Sequence, residues 1–247
     1  MTPTTFKYST PQIITPFDNI KTDMKLQHLL FLTAIVLFTG SWRNTNPLMK
    51  IVFFGDSITE MGVQPGGYLD RLKGMLAKAG VKDNYRVIGA GISGNKVYDL
   101  YLRLEEDVLI HEPDAVVIWV GVNDVWHKSS HGTGTDADKF EKFYVALVKK
   151  IRATGAKVIM ATPAVVGERT DHSNELDGDL DKYSQIIRNI AARFDCPLAD
   201  LRKAFVDYNL KNNPQNKEAG ILTTDRVHLN DAGNQLVAEV FYGLLPK

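Results

Sequence analysis

Ser57 lies in the stretch FFGDSITEMG, residues 53–62, directly after an apolar segment that reads KIVFF. A serine at the end of a buried strand is either the cap of the following helix or a nucleophile. A serine hydroxyl is a weak nucleophile unless a base lies within hydrogen-bond reach. The role of Ser57 therefore depends on whether the chain supplies a base, a group that orients the base, and donors for an oxyanion.

His228 is the candidate base. It follows Asp225 by three residues in TTDRVHLNDAG, just before an amphipathic segment near the C-terminus. An aspartate beside a histidine accepts its Nδ1–H, fixes its tautomer and stabilises the imidazolium. The Asp-x-x-His spacing is a weak signal alone and gains weight only in combination with Ser57.

Acyl transfer also needs donors that point at the developing oxyanion. Gly94 in GAGISGN and Asn123 in GVNDVWH each follow a further apolar segment. The candidate donors are the backbone N–H groups of Ser57 and Gly94 and the side-chain amide of Asn123. An asparagine in such a loop is otherwise an ordinary turn residue.

Short apolar segments alternate with longer amphipathic ones from Met49 onward. Their nearly continuous Val and Ile content is typical of strands covered on both faces. The alternation favours an α/β fold with a parallel sheet between helices. Because such sheets bind ligands at the carboxyl ends of their strands, the three loops above should meet there. Strands are predicted over Lys50–Phe54, Tyr85–Ile88, Ala115–Val120, Lys157–Ala161 and Pro197–Ala199, and helices over Tyr68–Ala79, Val97–Ile110, Asp138–Thr154, Leu180–Phe194 and Asp231–Leu244.

The motifs GDSIT, GISGN, GVND and DRVHLN, in this order, resemble those of the SGNH/GDSL hydrolases, a family named for its Ser, Gly, Asn and His residues. The resemblance covers roughly Met49 to Leu245. It implies a flavodoxin-like three-layer α/β/α sandwich with a five-stranded parallel sheet. One departure is that many members carry an Asn shortly before the second motif's glycine, where this chain has Gly89-Ala90-Gly91.

The resemblance also implies roles for the candidate residues. Ser57 is then the nucleophile, His228 the base and Asp225 its orienter, and the Ser57, Gly94 and Asn123 donors form the oxyanion hole. The implied activity is that of a serine esterase that hydrolyses carboxylic esters, with short acyl or acetyl groups favoured, through an acyl-enzyme. No cofactor or metal is implied. A lysophospholipase or thioesterase of the same family is the alternative.

Three readings outside this family stay open. Residues 89–94 match G-x-G-x-x-G after a strand, as in dinucleotide-binding proteins, although an acidic residue at the end of the next strand is missing. His127 and His131 have the spacing of a metal pair on a helix, but the glycines that follow favour a flexible loop. The third reading is a non-catalytic carbohydrate-binding module on the same fold.

Composition and loop polarity limit the partners. The 247 residues include 29 basic and 29 acidic side chains, so no charge excess indicates binding to nucleic acid. The single cysteine, Cys196, excludes an intramolecular disulfide and a Cys-rich zinc site. The loops WHKSSHGTGTDAD and PAVVGERTDHSNELDGD are polar, which favours a small-molecule or carbohydrate ester as substrate. Oligomeric state is not predicted.

The segment MKLQHLLFLTAIVLFTGSW, residues 24–42, has a basic start, a short apolar centre and a small-residue end. These are the features of a secretory signal, and the apolar run is shorter than the ~20 residues of a membrane span. We expect residues 1–48 to be an extension with a signal peptide over 24–41, and residues 49–247 to form the hydrolase domain. The protein is then exported to the periplasm or medium; an uncleaved membrane anchor and a core helix are the alternatives.

Overall fold

A computed structural model describes Met1 and residues 48–245 of the chain. Residues 48–245 belong to one unit, Asn46–Lys247. The predicted signal segment, residues 24–41, lies outside the described residues. Its cleavage and the predicted domain boundary near residue 48 therefore stay predictions.

Five parallel strands form one sheet in the order β2-β1-β3-β4-β5. The central strands, β1 and β3, bury nearly all of their side chains, which explains their continuous apolar sequence. The expected α/β fold with a five-stranded parallel sheet between helices is confirmed. The strands are β1 Met49–Gly55, β2 Tyr85–Gly91, β3 Ala115–Trp119, β4 Lys157–Ala161 and β5 Leu198–Ala199.

In the part of the chain that the structure describes, nine α-helices connect and follow the strands. Two short 3-10 helices, Lys82–Asn84 and Leu109–His111, precede β2 and β3. The α-helices are α1 Ser57–Gly62, α2 Tyr68–Lys78, α3 Val97–Leu102, α4 Leu104–Asp107, α5 Val122–Ser130, α6 Ala137–Ala153, α7 Asp177–Phe194, α8 Leu201–Asn212 and α9 Asp231–Leu244.

The helices form layers around the sheet. Helix α2 packs against α9, and α6 packs against α3 and α7. Aromatic rings join the first layer to the sheet, where Phe53 of β1 contacts both Tyr68 of α2 and Phe241 of α9. Among residues 48–245, none of the helices combines the length and the apolar content that crossing a membrane requires.

Strand β2 is longer than predicted because its glycines continue the pairing with β1. Gly89 pairs with Phe53 and Gly91 with Gly55. A Cβ atom on Gly91 would lie 2.1 Å from the Glu60 nitrogen, so a glycine lets α1 cross close to this strand end. The first two glycines of the G-x-G-x-x-G match thus lie within a strand, not in the turn that a dinucleotide fingerprint needs.

Three helical segments differ from the prediction: one is interrupted and two were not predicted as helices. The helix predicted over Val97–Ile110 is interrupted at Arg103, whose φ of −107° and ψ of 11° are not helical. Residues 122–130, which include His127, form helix α5 where a flexible loop was expected. Helix α8 was missed because its sequence has little amphipathic periodicity.

Candidate active site

Ser57 is the first residue of α1, and Asp56, not Ser57, caps that helix. The Asp56 Oδ1 accepts a hydrogen bond from the Ile58 N–H at 3.0 Å. The Ser57 hydroxyl is therefore not used for capping, and 5% of the residue is exposed. The capping role that the sequence left open for Ser57 belongs to its neighbour.

The structure brings Ser57, His228 and Asp225 together, as the sequence predicted. Ser57 Oγ lies 3.0 Å from His228 Nε2. His228 Nδ1 lies 2.7 Å from Asp225 Oδ2 on the other side of the ring. A serine, a histidine and an aspartate bonded in this order can transfer the serine proton to the imidazole.

Asp225 also binds the backbone of its own turn. Its Oδ1 accepts from the Val227 N–H at 3.1 Å and from the His228 N–H at 2.8 Å. Partial burial raises the pKa of the Asp225 carboxyl, but the hydrogen bonds from the His228 ring and from these backbone groups lower it more, and the net pKa is below the ordinary value. The carboxylate therefore stays ionised beside the histidine.

Glu168 holds the segment that leads into this turn, a role that was not predicted from the sequence. It is 1% exposed, and its carboxylate accepts from the backbone N–H groups of Ile221 at 2.8 Å, Leu222 at 2.6 Å and Thr223 at 2.8 Å. Three charge-assisted hydrogen bonds compensate for the burial of the carboxylate. The pattern GERTD looked like a polar loop because partners more than fifty positions away cannot be seen in a local pattern.

Two hydrogen bonds join the loops that carry the predicted oxyanion donors. The Ile92 N–H donates to the carbonyl oxygen of Gly55, two residues before Ser57, at 3.3 Å. The Asn123 Nδ2 donates to the carbonyl oxygen of Asn95 at 3.1 Å. The loops after β1, β2 and β3 therefore meet at the carboxyl edge of the sheet, as the parallel topology requires.

Donors remain available at this edge. Within residues 48–245, the backbone N–H groups of Ser57 and Gly94 have no acceptor, and one amide hydrogen of Asn123 is unused. Gly94 has a φ of +77°, a left-handed conformation that glycine adopts without strain. The geometry thus leaves three donors on the three loops.

Arg103 links these loops through hydrogen bonds from its guanidinium group. This role was not predicted from the sequence. Its Nη2 donates to the carbonyl oxygens of Gly55 at 2.8 Å and Ala90 at 3.1 Å, and its Nε donates to the Asn95 Oδ1 at 2.7 Å. The guanidinium also lies 4.5 Å from the centroid of the Phe54 ring. Arg103 lies inside the helix predicted over Val97–Ile110, and its place in that pattern gives no sign of these contacts.

Two further carboxyls are buried at the strand ends. Burial raises the pKa of Asp56 to about 7, although the Ile58 N–H and the nearby charges of His228 and Arg103 lower it. Burial likewise raises the pKa of Asp124 to about 7. Both Asp124 oxygens accept from the Val97 N–H, at 3.2 and 3.3 Å, which fixes the start of α3 against the start of α5.

His127 lies beside the predicted oxyanion donors. Its Cε1 is 3.9 Å from the position that a Cβ on Gly94 would take. Burial lowers the pKa of His127, and the charges of Lys96 and His131 lower it further. The rings of His127 and His131 are 4.5 Å apart, and no group of three potential metal ligands occurs in residues 48–245.

Comparison with known proteins shows the general class of this protein: it is a hydrolase that acts on ester bonds. More particularly, it belongs to the GDSL-like lipase/acylhydrolase family, whose model matches residues 53–236. The family resemblance drawn from the four motifs is confirmed.

Two related proteins match most of this chain. The chain is 30% identical over 210 residues to an acetylxylan esterase of Geobacillus stearothermophilus, with 78% of this chain and 91% of that protein covered. It is 25% identical over 236 residues to the uncharacterized lipoprotein YqeF of Bacillus subtilis, with 87% and 96% covered.

Solved structures of similar proteins carry related names. The acetyl xylan esterase AlAXEase is 59% identical, with a TM-score of 0.79 and with 80% of this chain and 100% of that chain covered. Three structures of the acetylxylan esterase Axe2 from Geobacillus stearothermophilus are 27–29% identical with a TM-score of 0.70, and 79% of this chain and 93% of theirs are covered. They are catalytic mutants in which a serine, a histidine or an aspartate is replaced, and that aspartate precedes the histidine by three positions.

Proposed function

We propose that this chain is a serine esterase that removes acetyl and other short acyl groups from hydroxylated substrates, with sugar esters as the main class. One observation carries the proposal: the Ser57 Oγ is 3.0 Å from His228 Nε2, and the opposite nitrogen of that ring is 2.7 Å from Asp225. The bonds supply the serine with a base and the base with an orienting carboxylate. A non-catalytic carbohydrate-binding protein gains nothing from such an arrangement.

The reaction has two halves. The Ser57 Oγ attacks the ester carbonyl carbon while His228 Nε2 takes the hydroxyl proton, so that a tetrahedral intermediate with an oxyanion forms. When it collapses, the bond to the alcohol oxygen breaks and His228 gives that oxygen the proton, which leaves an acyl-enzyme. Water then attacks the acyl carbon with His228 again as base, and the carboxylic acid departs from a restored Ser57.

The oxyanion is stabilised by the unused donors at the sheet edge. These are the backbone N–H groups of Ser57 and Gly94 and the free amide hydrogen of Asn123. They are held by the fold before substrate arrives, so little reorganisation accompanies the reaction. Sequence order in the catalytic mutants of the esterase from Geobacillus stearothermophilus supports the same assignment of aspartate and histidine.

Acetyl esters of sugars are the proposed substrates because the similar proteins are named acetylxylan esterases. The residues around the proposed oxyanion hole also fit a polar leaving group. Polar or charged residues lie near Gly94 and Asn123 in the sequence, including Ser93, Lys96 and His127, whereas the neighbouring Val122 and Val125 are buried in the core. An extended acyl chain would instead require an apolar surface, worth ~0.8 kcal/mol for each buried CH₂.

An ester panel tests the proposal. We expect kcat/KM on p-nitrophenyl esters to peak at the acetyl or butyryl ester and to fall beyond about eight carbons, since the polar residues near the proposed oxyanion hole would gain little from burying added CH₂ groups. Acetylated xylan and xylo-oligosaccharides should release acetate. Ser57→Ala should abolish both reactions while the protein stays folded, and a fluorophosphonate should label Ser57.

Two results would contradict the proposal in different ways. A maximum at twelve or more carbons would favour a lipase or lysophospholipase of the same family. An active enzyme in which Ser57 stays unlabelled by fluorophosphonate would remove the serine mechanism itself.

We propose further that the protein is exported. The segment 24–41 has the pattern of a secretory signal, and a relative is named a lipoprotein. Polymeric xylan does not enter cells, so an enzyme that deacetylates it has to act outside the cytoplasm.

A further inference from the structure

A pocket separate from Ser57 opens between the loop after β4, the start of α7 and the outer half of α8. This pocket, here called the side pocket, has a volume of about 240 Å³. A pocket of this volume can hold one pentose or hexose unit.

The side pocket has a fixed polar wall. Arg202 is 4% exposed, and its guanidinium is held by Asp177 at 2.8 Å and Asp181 at 2.7 Å. Asn174 donates to the second oxygen of Asp177 at 2.9 Å. Because these groups are already ordered by one another, a ligand that binds them orders no flexible side chain.

The charges of the wall balance. Two arginines, Arg169 and Arg202, face two carboxylates, Asp177 and Asp181, in the pocket lining. A site for a phosphate or a metal ion would show an excess of one sign. The balance favours a neutral ligand with many hydrogen-bonding groups.

Asn209 is a polar group of this pocket that the protein leaves unused. It is 2% exposed, and its Oδ1 has no hydrogen-bond partner within residues 48–245. A buried amide oxygen without a donor destabilises a protein, whereas buried polar atoms are normally hydrogen-bonded. Hydroxyl groups, which both donate and accept, suit such an amide.

An apolar rim completes the lining. Val206 and Leu210 lie one turn apart on α8 and both line the pocket, and Leu210 is 62% exposed. A sugar ring presents hydroxyl groups at its edge and an apolar C–H surface on its face. The combination of charged wall, amide and exposed leucine therefore matches a sugar ring and not an acyl chain.

The side pocket is bonded to the turn that carries the histidine. The N–H of Gly167, a lining residue, donates to the carbonyl oxygen of Arg226 at 2.9 Å, and Arg226 lies between Asp225 and His228. The leaving alcohol of the proposed reaction receives its proton from His228. The side pocket therefore adjoins the turn that holds the residue proposed to protonate the leaving saccharide.

We propose that the side pocket binds one neutral sugar residue of the substrate chain, a residue other than the one that carries the ester. The inference rests on the proposed function, to which it adds a binding site for a second sugar residue of the substrate. It assigns Asn209 and Leu210 to substrate recognition.

Direct binding and kinetics test the inference on the full chain. Xylotetraose without acetyl groups should bind the unmodified enzyme in a calorimetric titration. Asn209→Leu and Leu210→Ser should each weaken binding about fivefold or more, as expected for loss of one contact. The ratio of kcat/KM on acetylated xylotetraose to that on p-nitrophenyl acetate should fall by a similar factor.

Matched variants serve as controls. Asn212→Leu changes an exposed asparagine on the same helix, and Ile110→Ser changes a leucine-sized side chain that is 70% exposed away from the pocket. Both should bind xylotetraose as the unmodified enzyme does. Leu210→Ser keeps the test valid if Asn209→Leu fails to fold, because Leu210 is a surface residue.

The outcomes separate this inference from the proposed function. Equal xylotetraose affinity in the pocket variants and the controls, or no binding at millimolar concentration, would overturn the side pocket even if acetylated sugars are hydrolysed. Binding that depends on Asn209 and Leu210 in a protein that deacetylates no sugar would support the pocket and overturn the proposed function.

Discussion

At the scale of single residues, Asn123 divides its side-chain amide between two tasks. One hydrogen binds the Asn95 carbonyl oxygen at 3.1 Å and fixes the amide, and the other is unused and available for the proposed oxyanion hole. We expect Asn123→Ala to lower kcat on p-nitrophenyl acetate roughly a hundredfold, about 3 kcal/mol, with little change in KM. Steady-state kinetics measure both constants.

Asn123→Asp separates the two possible roles of this residue. The aspartate keeps the size and turn preference of asparagine but has no N–H to donate. A kcat close to that of the unmodified enzyme in either variant would return Asn123 to the role of a turn residue.

Asp124, the next residue, makes stability depend on pH. Burial raises the pKa of its carboxyl from 3.8 to about 7, so the folded state holds the proton more tightly than the unfolded chain does. Stability from this group is therefore lost as pH rises from about 4 to about 7. We expect the Tm of Asp124→Asn to exceed that of the unmodified protein at pH 8, and the difference to shrink toward pH 4.

Calorimetry at the two pH values checks this expectation. Asp138→Asn is the control, because Asp138 is exposed and the hydrogen bond from Lys142 holds the pKa of its carboxyl below the ordinary value. Asp56, with a pKa also near 7, preserves part of the pH dependence in both variants. A Tm difference for Asp124→Asn that is the same at pH 4 and pH 8 would refute the explanation.

At the scale of elements, Arg103 holds the ends of β1 and β2 and the loop before α3. Arg103→Lys keeps the charge but cannot donate to Gly55, Ala90 and Asn95 from one planar group. We expect kcat to fall at least about tenfold with KM changed much less, since the loops still bind substrate but no longer align the reacting groups. Each lost buried hydrogen bond should also lower the free energy of unfolding by roughly 1–3 kcal/mol. Kinetics at a temperature where circular dichroism shows the variant folded give the result.

Arg152→Lys is the matched control for this substitution. Arg152 also donates to a carbonyl oxygen, that of Phe194 at 2.7 Å, but on an exposed surface. It should retain the kcat of the unmodified enzyme. Equal kcat in Arg103→Lys would show that the strand ends hold their positions without the guanidinium.

The elements that the sequence predicted well are those whose own side chains create the signal. Strands β3 and β4 and helix α9 begin within the predicted segments because continuous apolar runs or amphipathic periodicity define them. Helices α1 and α5 were not predicted because they start inside loop motifs and owe their position to tertiary contacts. The roles of Arg103 and Glu168 were not predicted for a related reason. All three partners of Glu168 and two of the partners of Arg103 are backbone groups of distant residues, which leave no mark on the local sequence pattern.

At the scale of the whole molecule, the proposed export predicts where the mature chain begins. The basic start and short apolar centre of residues 24–41 are typical of a cleaved secretory signal. We expect mass spectrometry of the protein from its native host to find an N-terminus between about residues 39 and 49, where small residues favour cleavage. A Lys25→Glu, Gln27→Glu change should impair export and leave the uncut chain in the cell.

Two other results would contradict export with a cleaved signal. An intact Met1 or Met24 on protein purified from the cytosol would contradict export, and an intact Met24 in the membrane fraction would indicate an uncleaved anchor.

The bonded pair of Ser57 and His228 is separated by 171 positions in the chain. The first of these residues follows the central strand β1, and the second precedes α9, which packs on α2. Their bond can form only after early and late parts of the chain have docked, and such non-local pairings are characteristic of slow folding. Esterase activity should therefore return late in refolding. The circular dichroism signal should recover while hydrolysis is still absent, and the delay between the two signals measures how long the segments carrying Ser57 and His228 take to pack together.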